Sequence, residues 1–420
     1  MRISTSEFLS TNVQAMDNQQ SELAQLTAEI SSGVSLSTPS DNPLGAAQAV
    51  QLSMQGATLS QFSTNQSSAL TQLGSEDSTL SSVIQNLQSV NTQLLTASGG
   101  TLNDTDLRAT AASLQQLNDS LTTLANTKSP SGAFLFAGFQ ASSQPFTKNA
   151  AGAIVYNGDN GISSTQISDS TSVATGDSGA AVFLSVTPET ASPVAFAAAG
   201  NTGTAIVGPV STTNAVASAG GDTFGITFSV TATSPATTTF TVSDTNSAGV
   251  TTTTAPQPFT AGSAITLGTS GQSVSITGTP ANGDAFTVAP ATEVSASQGG
   301  TNIFATIQNM ITALQTPSDT PSTAAALTNA LNVGLTQVQN AISNVTTIQA
   351  TVGGREQQIE AMQTVNQSQT VQNTTSLDDL VSADIPATIS KFTQTQTSLQ
   401  ASEETIAQVQ QLSLFQFLNN

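Results

Sequence analysis

The sequence predicts an α+β protein: an elongated bundle of coiled-coil-like helices from both chain ends, with an inserted antiparallel β region. Three observations carry this reading. Apolar residues recur at steps of three and four in the first part of the 420-residue chain. From about 130 to 297 the period drops to two, and Gly, Ser and Thr dominate. Helical periodicity returns near 301 and persists to the end.

The first segment sets Leu9, Val13, Met16, Leu23 and Ile30 on one seam, with polar Gln20 and Thr27 at the intervening steps. The pattern stops at Ser32-Gly33, and glycine is favoured just past a helix end. The stretch SSGVSLSTPSDNPLGAAQAV, residues 31–50, then reads as stop, extended loop and restart. Gly33 ends one helix and Pro39 keeps the loop extended. Asp41 or Ser40 caps the next helix, with Pro43 in its first turn.

The restarted helix is long. Leu59, Leu73, Leu80, Leu87 and Leu94 share a seven-residue spacing, with Gln66 at the missing step. Phe62, Ala69, Val83 and Val90 form a companion column. A helix over 43–98 would be about 80 Å long. SGGTLND at 98–104 turns the chain, and a third helix carries Leu107, Leu114, Leu117, Leu121 and Leu124 to an end near Lys128.

In the middle, TFGITFSV alternates through Phe224, Ile226, Phe228 and Val230. FTV recurs at 240–242 and 286–288, and SVSITG covers 273–278. Turn residues separate these runs, as in antiparallel β-structure. Residues 199–222 read as a linker or loop. Beyond 301, Leu327, Leu331, Gly334, Val338, Ala341, Val345, Ile348 and Val352 step four and three, and the pattern continues through Ile359 and Met362. A last helix starts at Asp384 with Pro386 in its first turn, and carries Ile389, Phe392, Leu399, Ile406 and Val409. The expected organisation is an N-terminal helix and joint (1–40), one half of a helical rod (41–150), the β region (151–297), the other rod half (298–375) and a C-terminal helix (376–420).

Composition excludes several functions. Six basic against 26 acidic residues give a net charge of -20, so no basic patch exists for nucleic acid or an anionic membrane. There is no cysteine and no histidine. Disulfides, thiolate metal sites and the commonest proton-transfer group are thereby absent. No apolar leader opens the chain and no stretch suits a membrane span.

Apparent chemical motifs are weak. GDSG at 176–179 resembles a serine-nucleophile neighbourhood, but no histidine base exists and the lysines are Lys128, Lys148 and Lys391. It reads as a turn between strands. YNGDNG at 156–161 lacks the spacing of a calcium loop and reads as a β-turn. Asp378-Asp379 and Glu403-Glu404 read as a solvated helix start and a solvated helix face. No catalytic, metal or cofactor site is expected.

The heptad columns are the strong signal, and they point to assembly. A single end helix has too few apolar side chains to offset its ordering entropy, so the termini are expected to become firm against other subunits. Leu9, Val13, Leu23, Ile30, Ile389, Leu399, Ile406 and Leu412 are the expected assembly seam. Leu414, Phe415 and Phe417 are apolar residues at the chain end, expected to contact a chaperone or a neighbour.

Several stretches in order resemble the flagellin superfamily: SSGVSLSTPSDNP followed by AAQAV, then VGGREQQIE, SADIPATISKF and SLFQFL. GAFLFAGFQASSQPF at 132–146 and VYNGDNG at 155–161 resemble proteins of the hook–filament junction more than filament flagellins. So do GDTFGITF, PANGDAFTV and NIFATIQNMITALQ. The resemblance implies a structural role at the junction of the bacterial flagellum, in a homo-oligomeric tubular ring. The terminal helices would lie inside and the β region outside. It implies export unfolded through the flagellar channel, with a cytoplasmic chaperone on the C-terminal helix. Hook-associated protein 1 and flagellin would be the axial neighbours. A filament flagellin, or a secreted adhesin on a helical stalk, is the alternative. Pro386, and the pair Gly353-Gly354, depart from the family pattern; the pair would weaken or bend a helix.

Overall fold

Gly33 ends the first helix where the sequence expects it. Helix α1 (Arg2–Ser32) gives way to Gly33 at φ 70°. Its N–H still reaches the Glu29 carbonyl at 2.8 Å. A side chain there would meet no atom within 4 Å, so the backbone conformation and not space calls for glycine. The computed structural model describes residues 2–36, 38–40, 42–100, 102–213, 221–231, 236–269, 271–295 and 298–418. For 2–6, 8, 9 and 410–418 it describes the backbone alone.

Helix α2 (Pro43–Ser98) spans the residues its leucine columns predict. Its cap differs from expectation. Asn42 Oδ1 accepts the Gly45 N–H at 3.0 Å, and the Asn42 carbonyl accepts the Ala46 N–H at 2.8 Å. With Pro43 at the first helical position, the cap must be its immediate predecessor, not Ser40. Asp41 lies outside the described residues. Helix α3 (Asp104–Ala125) is capped by Asn103, whose side chain accepts two N–H groups.

Two small hairpins follow: β1 (Phe146–Lys148) with β2 (Ile154–Tyr156), and β3 (Ser164–Gln166) with β4 (Ser172–Ala174). A short helix, α4 (Gly179–Phe183), closes this stretch.

The next strands are β5 (Val194–Ala197), β6 (Ile206–Val207), β7 (Ser211–Thr212), β8 (Thr223–Val230) and β9 (Thr238–Thr245). They continue as β10 (Thr251–Thr253), β11 (Gln257–Pro258), β12 (Ala264–Leu267), β13 (Gln272–Thr277) and β14 (Ala285–Ala289). One sheet runs β10-β9-β8-β14-β5 with β11 on β9; the other runs β12-β13-β6 with β7 on β13. Their inner residues share one core, which joins Phe224, Ile226, Phe228 and Phe286 to Val207, Leu267, Val274 and Ile276. The strict alternation of β8 is what turns its large residues to that core.

The linker reading of 199–222 needs correction. Ile206 and Val207 pair with Thr277 and Ile276, and Val207 is fully buried. Small residues there lower the apolar signal, but the backbone is held in the sheet. Residues 214–220 lie outside the described residues.

Helix α5 (Ile303–Gln315), α6 (Pro321–Val381) and α7 (Ile385–Leu418) complete the chain. Helix α6 continues through Gly353 and Gly354. The chain divides into two units: residues 1–64 with 362–420, and residues 65–361. In the first, α1 packs along α7. Asn366 Nδ2 donates to the Leu59 carbonyl at 2.9 Å. In the second, Leu73, Leu80, Leu87 and Leu94 of α2 are at most 1% exposed, and so are Leu331, Val338, Val345, Val352 and Ile359 of α6. Phe136, Phe146, Tyr156, Phe183 and Phe304 form an aromatic cluster where the hairpins meet α4 and α5.

Candidate assembly site

Both long helices are interrupted near the chain ends, and the two interruptions hold each other. Val34 bridges Ser382 in antiparallel fashion. The Ser35 N–H donates to the Val381 carbonyl at 2.8 Å, and the Ala383 N–H donates to the Gly33 carbonyl at 2.9 Å. Helix α6 ends with Ser382 donating to the Asp378 carbonyl, and α7 begins under Asp384. The Asp384 carboxylate accepts the Ala387 N–H at 3.2 Å, and its carbonyl accepts the Thr388 N–H at 2.8 Å. Pro386 sits in that first turn, where an N–H is not needed. The joint residues Gly33 and Pro43 are therefore placed as helix stop and helix start, and Pro39 lies exposed in the loop between. The sequence marks both breaks separately, but nothing in its spacing says that they pair.

The expected seam is only partly covered within the chain. Val13 is 49% and Ile389 47% exposed, and Leu23, Ile30, Leu399 and Ile406 are half-buried. Leu26, off the expected seam, is the buried residue of α1 among those described. The side chains of Leu9, Leu412, Leu414, Phe415 and Phe417 lie outside the described residues.

A second group of polar residues fastens the inserted segments to the helices of the 65–361 unit. Gln66 and Asn65 of α2 donate to the Ile167 and Gln166 carbonyls, each at 2.8 Å. On α6, Asn329 brackets β6: it accepts from the Val207 N–H and donates to the Ala205 carbonyl. Asn340 does the same to both backbone groups of Ser192, and Asn344 donates to the Ala181 carbonyl. These amides supply hydrogen bonds to strand, loop and helix backbone of the inserted segments.

Glu76 is the unexpected member. It occupies the step between Ala69 and Val83 in the companion column and is 1% exposed. Its Oε1 accepts the Asp177 N–H at 3.0 Å. Asp177 pairs with both terminal nitrogens of Arg355 at 2.8 and 3.1 Å. Burial, and then the Asp177 charge, push the Glu76 carboxyl up to about 8, against the Asp177 N–H and the Arg355 charge. The buried site thus favours the protonated, neutral form of the carboxyl. Sequence reading passed over it, although an acid inside a column of apolar residues was the signal.

The weaker motifs also find their places. GDSG is not a turn between strands: Ser178 caps α4, its hydroxyl accepting the Ala181 N–H at 3.3 Å. Asp378-Asp379 lie in the last turn of α6, so they are a helix end and not a start. Glu403 and Glu404 are exposed along α7. Lys148 pairs with Asp119 at 2.7 Å. Among the described residues no three acidic side chains converge as a metal site requires, and no helix is long and apolar enough to cross a membrane.

Residues 3–141 match the family described as the bacterial flagellin N-terminal helical region. The chain is similar to flagellar hook-associated protein 3 of Escherichia coli (strain K12), with 27% identity over 420 residues and 99% of each chain covered. With the protein of that name from Salmonella typhimurium it shares 33% identity over 187 residues, 44% of this chain and 58% of that one. A solved flagellar hook-associated protein-3 from Legionella pneumophila aligns with a TM-score of 0.67 and 27% identity, over 79% of this chain and 98% of that one. The E. coli likeness runs through both terminal helical regions and the β insertion alike, so the chain is similar to hook-associated protein 3 along its whole length.

Proposed function

We propose that this chain is a structural subunit of the bacterial flagellum, exported to the hook–filament junction, where it joins hook to filament. A similar solved protein from Legionella pneumophila, 26% identical with a TM-score of 0.64, carries the description flagellar junction protein FlgL. The observation that carries the mechanism is the pair of mutually bonded helix joints, with Val13 of α1 and Ile389 of α7 left about half exposed. Terminal helices joined this way keep a fixed register to each other while offering apolar surface to neighbours. The neighbours are further copies in a tubular ring, hook-associated protein 1 on one side and flagellin on the other. Before export, a cytoplasmic chaperone covers the end bearing Leu414, Phe415 and Phe417. The work is mechanical, and no catalysis is assigned.

Immunogold labelling of intact flagella with antibody to residues 190–297 tests the location. One narrow band just beyond the hook is expected. Gold along the whole filament would make the chain a filament flagellin, and unlabelled flagella would favour an adhesin. The joint is tested by Gly33→Val with Pro39→Ala. Forcing a β-branched residue into the left-handed region costs at least about 1–2 kcal/mol at a point where two helices must stop. Loss of motility with normal export is expected; unchanged motility refutes the joint.

A further inference from the structure

The side chains that fasten the inserted segments to α2 and α6 include the amides of Gln66, Asn329, Asn340 and Asn344, whose hydrogen bonds do not depend on pH. Glu76 differs, because it can ionise. Its Oε1 accepts the Asp177 N–H at 3.0 Å, and its Oε2 is buried with no hydrogen-bond partner among the described residues. Asp177 is tied a second time, with both carboxylate oxygens on the terminal nitrogens of Arg355. The site therefore holds two acids and one base, and the base is already engaged. An ionised Glu76 would be a buried charge without a cation of its own. A protonated Glu76 is neutral and still accepts the Asp177 N–H.

Room for water lies beside the orphaned oxygen. Glu76 Oε2, Gln72 Nε2 and the Leu135 carbonyl oxygen stand 3.8, 3.9 and 3.9 Å from the point that a Cβ on Gly176 would occupy. Gln72, Leu135, Gly176 and Asp177 line a cavity of about 50 Å³, with Ser129 and Ser163. A polar cavity of that size admits water. Other charges lie elsewhere. Residues 129–141, which supply Leu135, carry none. Asp77, next to Glu76 on α2, accepts from Gln349, and Asp77 and Glu360 act on Glu356. Asp177 and Arg355 are the charged groups that act on Glu76. The two sides of the contact differ in firmness. Helix α2 is anchored here by Leu73 and Leu80, both fully buried. The turn at 175–178 has only small and polar side chains, and outside this site its backbone is tied by the Thr175 N–H on the Ser163 carbonyl and the adjoining Gly179 N–H on the Phe136 carbonyl. If one side moves, it is the turn.

We infer that Glu76, Asp177 and Arg355 form a proton-operated latch: protonated Glu76 holds the 175–178 turn on α2, and ionised Glu76 draws water into the cavity and lets the turn go while the amide fasteners stay closed. Burial, and then the Asp177 charge, push the Glu76 carboxyl up to about 8 in the closed form. Opening returns the carboxyl to water, so the hold is complete below its ordinary 4.5, weakens as pH rises and is least above 8. Amide hydrogen exchange on the purified full-length chain, corrected for the intrinsic rate at each pH, tests this. Protection of the Asp177 amide should fall by about a hundredfold or more from pH 5 to pH 9. In Glu76→Gln, which keeps an acceptor for the Asp177 N–H but cannot ionise, it should change by less than about threefold. At pH 9 the Asp177 amide should be about tenfold or more less protected than the Leu87 amide inside α2. An equal fall in wild type and Glu76→Gln, or equal protection of Asp177 and Leu87 at pH 9, overturns the latch. Should Glu76→Gln not fold, the ¹³C carboxyl signal of Glu76 in the wild-type chain decides: a midpoint near 8 is expected, and one near 4.5 overturns the proposal. Asp177→Asn leaves one acid for one base and should lower that midpoint by about one pH unit or more. An unchanged midpoint would show that the Asp177–Arg355 pair does not set the latch, and overturns it as drawn.

Discussion

The 65–361 unit and the unit formed by the chain ends carry the same heptad spacing with unequal burial. In the first, leucine columns of α2 reach at most 1% exposure. In the second, residues of equal spacing, such as Val13 and Ile389, are about half exposed. Periodicity states which face of a helix is apolar. It does not state whether the cover comes from the same chain. The first unit has its cover: α5 packs on α3, and side-chain amides of α6 hold backbone of the inserted segments. The second unit has α1 along α7, the facing ends of α2 and α6, and two short bonded joints.

Three measurements probe this contrast, in decreasing size of effect. The first concerns Glu76. Its folded-state pKa of about 8 lies above its ordinary 4.5. Below pH 4.5 both states hold the proton and the contribution to stability is intact. As pH rises toward 8 the unfolded chain releases the proton first, and stability falls by on the order of 4–5 kcal/mol, levelling above pH 8. Denaturant melts between pH 5 and 9 should show this loss in the 65–361 unit. Glu76→Gln should remove most of it. A wild-type and variant difference that does not change with pH would mean that Glu76 is charged in the fold.

The second compares Leu80→Ala with Val13→Ala. Leu80 is fully buried, and its truncation should cost about 3–5 kcal/mol. Val13→Ala should change the isolated chain by no more than about 0.5 kcal/mol, yet reduce incorporation into flagella. Equal losses in the isolated chain would show that the ends are as well covered as the middle. The third is Asn42→Ala. Loss of the bond to the Gly45 N–H should cost about 1 kcal/mol and speed amide exchange at the start of α2. Unchanged exchange would return the cap to Asp41 or Ser40.

Much of the fold was legible. The helix stop at Gly33, the span of α2, the cap at Asp384 and the alternation of β8 follow from local backbone preference and side-chain period, which act within a few residues. The cap of α2 was misplaced by one or two residues because Ser40, Asp41 and Asn42 all carry a capping oxygen. The strands β6 and β7 were missed because each has two residues. Their pairing partner lies some 60 to 70 positions away on β13.

Residue spacing alone determined that this chain makes long helices around a β insertion, since turn chemistry and periodicity are local properties. Composition alone determined that it lacks the side chains for histidine or cysteine chemistry. Tertiary structure decided the rest. It paired Gly33–Ser35 with Val381–Ala383, set Glu76 against Asp177 and Arg355, and turned Phe139 outward while four other phenylalanines, Phe136, Phe146, Phe183 and Phe304, were buried together. Each of these depends on residues distant in sequence being brought together, and a pattern read along one strand or one helix carries no information about what faces it.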